Sequence, residues 1–273
     1  MSYPEPLSAA LDRIVSAVST DPRFEGVAAG GSLLNGTADE FSDLDLVLVV
    51  ADAHYRDVMD SRVDLAAGWG RLLAAFTGEH VGEPRLLICL FDEPLLHVDL
   101  KFVTVADLDE RIEDPLVLWE RDTVITRRLA TASATPLAVD PQWIEDRFWV
   151  WVHYGATKLG RGEIFETVDF LSFLRANALA PLASHLRGHE PRGVRRAETL
   201  LPDVVPALAG TIPGYDVCAC VTATRRTIAL YRQLREQLPL PVRRGIEAEA
   251  AAVRYFEMVA FAVAAKADGA GRS

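Results

Sequence analysis

Hydrophobic positions recur in the first half of the chain with two different periods. Leu7, Leu11, Ile14, Val15 and Val18 fall on one stripe of a 3.6-residue repeat, which predicts a helix over 7–18. A short apolar run at 26–29 reads as a strand and leads into the small-residue turn Gly30-Gly31-Ser32. After a turn-rich stretch at 35–42, residues 44–50 form an apolar run of strand length. The spacing then predicts one helix over 53–76, weakly interrupted by Gly68 and Gly70, and two strands at 85–91 and 96–104. Between those strands Asp92-Glu93-Pro94 has the composition of a hairpin turn, with proline presetting one backbone angle.

The pattern changes near residue 135. Asp140-Pro141 is a helix start, an Asp N-cap followed by proline at the first helical position. Helical periodicity then covers 141–159, 163–187, 191–201, 215–237 and 244–266, punctuated by Gly160, Gly162, Gly188, Pro191 and Pro239-Leu240-Pro241. The expected organisation is an α/β domain over 1–138, a mixed β-sheet flanked by helices, followed by an all-α helical bundle over 139–273. The small-residue tail 267–273 is expected to fray.

Composition narrows the function classes. Half of the 273 residues are hydrophobic and a quarter are charged, as in ordinary globular chains. A formal net charge of -11 argues against a nucleic-acid binder, because phosphate contacts need surplus Lys and Arg. Of three cysteines, Cys89 lies in an apolar run, and Cys218 and Cys220 form a C-x-C without the second ligand pair of a structural zinc site. Residues 1–6 lack a signal-peptide pattern, and the apolar run 256–265 is short for a bilayer and carries Glu257. The expectation is a soluble cytoplasmic protein with no membrane partner.

The chemistry concentrates in Gly30-Gly31-Ser32 and Asp43-Leu44-Asp45. Strand alternation sends Asp43 and Asp45 to one face and Leu44 and Leu46 to the other. Two same-face carboxylates repel unless a cation lies between them, so the pair is costly as structure and sensible as a Mg²⁺ site. In 96–102 the same alternation puts His97, Asp99 and Lys101 on one face, with Val98, Leu100 and Phe102 opposite. If that strand neighbours 44–50, Asp99 completes a three-carboxylate cluster of the two-metal type. Gly31 and Ser32 supply a turn whose backbone N–H groups can approach phosphates. Neither a Walker loop nor a dinucleotide-binding glycine loop is present.

These residues resemble the DNA polymerase β nucleotidyltransferase superfamily, whose pattern is Gly-Ser, a spacer, Asp-h-Asp and a third Asp on a later strand. The hairpin 90–100, the aromatic helix Phe148-Trp149-Val150-Trp151, the junction Lys158 to Glu163, and Asp169 and Arg175 are similar to the streptomycin-type aminoglycoside 6-adenylyltransferases. The resemblance implies that Gly31 and Ser32 hold the triphosphate and that Asp43 and Asp45 bind two Mg²⁺ ions. It implies further that Asp99 ligates one ion and helps activate an acceptor hydroxyl, with Lys158 and Arg161 contacting nucleotide phosphates. The implied reaction moves AMP from ATP to a hydroxyl of a small, cationic, aminoglycoside-like molecule bound between the domains.

Other readings stand beside these. The chain is otherwise an idle nucleotide-binding relative (a sensor or toxin–antitoxin component), a transferase acting on a protein, or a metal-dependent hydrolase. Lys158 and Arg161 equally complement a helix C-terminus, Glu163 begins the next helix, and Asp169 pairs with Arg175. His97 reads as a surface or hydrogen-bonded residue, His153 and Tyr154 as packing or cleft-lining residues, and Trp149 and Trp151 as core or domain-interface residues.

Overall fold

The computed structural model describes the backbone of residues 4–270 and the side chains of residues 4–266. The chain divides into two compact units, Met1–Pro136 and Leu137–Ser273.

In the first unit, helix α1 (Glu5–Thr20) buries Leu7, Ala10, Leu11, Ile14 and Val18 on one stripe. Strand β1 (Phe24–Ala29) passes through Gly30 into the single turn α2 (Gly31–Leu34), and β2 (Leu44–Val50) follows. Helix α3 (Tyr55–Ala67) is followed by β3 (Arg71–Gly78), β4 (Glu83–Asp92), β5 (Leu96–Val103), β6 (Leu116–Glu120) and α4 (Val124–Leu129). The strands form one mixed sheet in the order β3-β4-β5-β2-β1-β6. Its β2/β5 pair is parallel and the other neighbours are antiparallel.

Alternation decides which face is covered. Leu44, Leu46, Leu48, Val50, Val98, Leu100 and Phe102 join the α1 stripe and Val58 and Ala66 of α3 in one core. Burying each such side chain contributes about 1.5–3 kcal/mol. On the opposite face Val49, Val103, Leu108 and Ile125 form a smaller cluster among the described residues.

The expected helix over 53–76 is a correction: α3 ends at Ala67, and 71–78 form strand β3. The Gly68-Trp69-Gly70 break ends the helix, and pairing with β4 supplies the backbone partners. Leu72 and Ala75, ordinary helix formers, pack on the core from an edge strand, so tertiary pairing overrides their propensity. Strand β6, absent from the sequence reading, closes the other edge.

The second unit is helical. The Asp140 carboxylate caps α5 (Pro141–Gly160), accepting from the Gln142 and Trp143 N–H groups at 2.9 and 3.1 Å. Helix α6 (Ile164–Leu174) runs through a π-turn at Arg175–Leu179 into α7 (Ala180–Leu186). The expected helix at 191–201 shrinks to α8 (Ala197–Leu200), because Gly193 and Arg196 adopt positive φ of 59° and 57°. Short α9 (Val205–Ala209) and long α10 (Val217–Glu236) and α11 (Ile246–Ala270) complete the unit. Residues 267–270 are thus helical rather than frayed. The remainder of that tail reading, at 271–273, lies outside the described residues, as do residues 1–3 of the signal-peptide reading.

Inside this unit Glu145 is 2% exposed and accepts from Trp149 Nε1 (3.1 Å), Arg235 Nη1 (3.1 Å), the Gly245 N–H (3.1 Å) and the Tyr231 hydroxyl. Burial is the largest influence on Glu145 and opposes its ionisation. The donors Tyr231, Gly245, Trp149 and Arg235 outweigh it and hold the carboxyl below its ordinary range. All three cysteines are free, Cys89 and Cys220 buried and Cys218 exposed. Among the described residues no helix is long and apolar enough to cross a membrane.

Candidate active site

The sheet brings two distant sequence segments into register. On parallel β2 and β5, Asp45 lies opposite Asp99 and Val47 opposite Lys101. Partners at one register position of parallel strands share a face, so Asp45 and Asp99 stand side by side on the less covered face. Asp43 precedes β2 by one residue and keeps the same parity. His97 Nε2 lies 2.7 Å from Asp99 Oδ1, the ring nitrogen donating to the carboxylate. Lys101 shares the face but is turned away, its Nζ 2.8 Å from Glu83 Oε2. Arg85 also binds Glu83, and with Lys101 it holds that carboxyl down at about 2.

The glycine turn is built against Asp45. Gly30 N–H donates to the Asp45 carbonyl at 3.0 Å, which ties the turn to β2. Gly31 has φ +59°, and a Cβ there would lie 2.2 Å from Asp45 Oδ2, so the position excludes a side chain on two grounds. Gly31 N–H donates to Glu113 Oε1 at 3.4 Å. The Ser32 hydroxyl is buried and has no hydrogen-bond partner among the described residues.

Sequence reasoning missed Glu113. It sits in the irregular segment between Asp109 and β6, and only the return of the chain to the sheet edge brings it to the turn. No periodicity in its neighbourhood signals that contact.

The donor set suits a divalent cation and a triphosphate. Asp43, Asp45 and Asp99 offer only hard carboxylate oxygens, two of them on register partners. The orphaned Ser32 hydroxyl beside the glycine turn is a ready donor for a phosphate oxygen. The side chains as placed are not gathered: among the described residues no three His, Cys, Asp or Glu converge to hold a metal ion.

In the second unit, Lys158 Nζ lies 3.1 Å from Glu166 Oε2, 3.4 Å from Glu163 Oε2 and 5.1 Å from the centre of the Tyr154 ring. Glu166 first, then Tyr154 and Glu163, push its pKa above the ordinary lysine value. Arg161 is an exposed residue at the C-cap of α5. Asp169 does not pair with Arg175, which donates instead to the Thr211 carbonyl at 2.8 Å. Trp149 is buried core, whereas Trp151 lies partly open, its ring 5.1 Å from that of Phe173. The His153 ring rests 4.5 Å from that of Tyr255.

Comparison with known proteins bears on the first unit. Residues 11–120 match the family profile described as nucleotidyltransferase domain. No curated protein matches the sequence. Among solved structures, the chain is similar to an aminoglycoside 6-adenyltransferase from Bacillus subtilis, at 17% identity and a TM-score of 0.39, over 92% of this chain and 97% of that one. It is also similar to a nucleotidyltransferase-like protein from Exiguobacterium sibiricum 255-15, at 14% identity and a TM-score of 0.39, over 85% of this chain and 76% of that one. The matched segment runs from within α1 to the end of β6 and contains both aspartate strands.

Proposed function

We propose that this chain transfers a nucleoside monophosphate, AMP from ATP, to a hydroxyl of a small molecule, releasing pyrophosphate. The observation that carries the reading is the register of Asp45 with Asp99 beside the Gly31 turn. Asp43, Asp45 and Asp99 would hold two Mg²⁺ ions, whose chemistry when bound is neutralisation of charge on the triphosphate. Gly31 N–H and the Ser32 hydroxyl bind phosphate oxygens, Gly31 exchanging its Glu113 contact to do so. Asp99 accepts the acceptor hydroxyl's proton, its Oδ1 oriented by His97 at 2.7 Å. Lys158 and Arg161 are candidates for phosphate contact, Lys158 leaving Glu163 and Glu166 in that role. The net charge of -11 supports a hydroxylated, cationic acceptor of the aminoglycoside kind over nucleic acid.

The test is thermal-shift binding of ATP, GTP, CTP and UTP, each with and without Mg²⁺. A ligand binding only the folded state raises the melting temperature, by about 2.7 kcal/mol of stabilisation at a hundred times its Kd. The expected result is a Mg²⁺-dependent shift strongest with ATP and lost in Asp45→Asn. A shift that survives Asp45→Asn overturns the site assignment.

A further inference from the structure

Arg175 carries a charge that its surroundings do not match. It opens the π-turn between α6 and α7, an irregularity of a kind frequent at functional sites. Its Nη1 donates to the carbonyl of buried Thr211 at 2.8 Å. Arg175 has no ion pair among the described residues, and burial pushes its pKa below the ordinary arginine value. One carbonyl needs only one neutral donor. A guanidinium brings five donors and a full charge, at a desolvation cost that folded proteins offset with an anion.

Arg175 lines a cavity of about 220 Å³ whose other walls come from α8, α9 and the loops beside them. Those walls are aliphatic, with Val194, Leu208 and Ile212 among them, except for one carboxylate, Glu198. Val194 and Ile212 are 47% and 62% exposed, so the cavity opens to solvent beside them. Glu198 is exposed on α8, and its carboxylate has no ion pair or hydrogen bond among the described residues. The chain enters α8 through Arg196, a non-glycine residue at φ +57°, strain of the kind that clusters at ligand clamps. The volume is below the usual range for drug-sized ligands and suits a molecule of amino-acid size. One cation and one anion that do not pair with each other, set in aliphatic walls, complement a ligand with the reverse arrangement.

We propose that this cavity binds an aliphatic α-amino acid, its carboxylate on Arg175, its ammonium on Glu198 and its side chain against Val194, Leu208 and Ile212. The planar guanidinium offers a carboxylate two parallel N–H donors, which a lysine in its place would not. The site lies within the second unit and does not rest on the transferase reading above.

The experiment is calorimetric titration of the intact chain with L-leucine and with two analogues that each lack one charge, isocaproate and isoamylamine. Leucine should bind at least about tenfold more tightly than either, as expected for one charge-assisted contact. Glu198→Gln should weaken leucine about tenfold and leave isocaproate unchanged. Arg175→Lys keeps a donor for Thr211 but loses the fork, and should weaken leucine and isocaproate together while sparing isoamylamine. Ile212→Ser should weaken all three. Glu198 and Ile212 are exposed, so their variants carry the test even where Arg175→Lys fails to fold. Leucine binding no tighter than that of the acid or the amine, undiminished leucine binding by Glu198→Gln, or no saturable leucine binding overturns the proposal.

Discussion

A single methyl group at Gly31 probes how tightly the glycine turn and Asp45 depend on each other. Gly31 has φ +59°, a conformation that costs an L-residue about 1–2 kcal/mol. The added Cβ would lie 2.2 Å from Asp45 Oδ2 and 3.2 Å from its Cγ, more than an ångström inside contact distance. The Gly30 N–H bond to the Asp45 carbonyl holds the turn in place, so relief falls on the Asp45 side chain. Forcing it off its rotamer costs about a further 1 kcal/mol. Gly31→Ala should therefore destabilise the first unit by about 2–3 kcal/mol and lower its melting temperature by roughly 5–15 °C. On the proposed function, displacing the Asp45 carboxylate by about 1 Å costs on the order of a hundredfold in rate, and the Mg²⁺–ATP shift should weaken with it. Gly30→Ala is the control. Gly30 has φ -110°, and its Cβ would meet only Glu113 Oε1, at 3.5 Å. It should stay within about 0.5 kcal/mol of the parent and keep its ATP shift. The pair is read by thermal melting with and without Mg²⁺–ATP. Gly31→Ala matching the parent in both, or Gly30→Ala equally damaged, refutes the reasoning.

Two further outcomes follow from buried and misplaced charge. Glu145→Gln breaks the buried pair with Arg235 and should cost about 3 kcal/mol, measured by urea denaturation followed by far-UV circular dichroism. Because the folded state depresses the Glu145 pKa, its contribution is complete above the unfolded value near 4.5 and is lost as pH falls through the folded value. The variant should accordingly show a flatter stability profile below that pH, and an unchanged acid limb would refute the assignment. Glu113→Gln removes a negative charge from the N–H that a phosphate would take, and should tighten Mg²⁺–ATP binding by about threefold to tenfold, in calorimetric titration. Weaker binding would instead make Glu113 part of the nucleotide site.

How much of the site was legible depended on whether a residue's role is set by its own strand. That Asp45 and Asp99 each lie on the face away from the core was readable because alternation along a strand assigns a face without knowledge of neighbours. The Asp140 cap was readable because its partners lie two and three residues away. Glu113 was not, since its contact spans 82 residues through a loop without periodicity. Lys158 was half legible: its charge and helix-end position were plain, but its Glu163 and Glu166 partners lie on the next helix.

The sequence by itself therefore determined the local grammar: which stretches alternate, where helices begin, which carboxylates share a face, and that the second half is helical. Tertiary structure decided what those faces meet. Residues 71–78 became a strand because β4 offered partners, and Asp45 met Asp99 because β5 returned parallel to β2. Arg175 turned to Thr211 rather than to Asp169 because the Thr211 carbonyl was brought within 2.8 Å. Hydrophobic periodicity is written within one element, whereas register and ion pairing arise only between elements, when separate segments compete for the same backbone and charged partners.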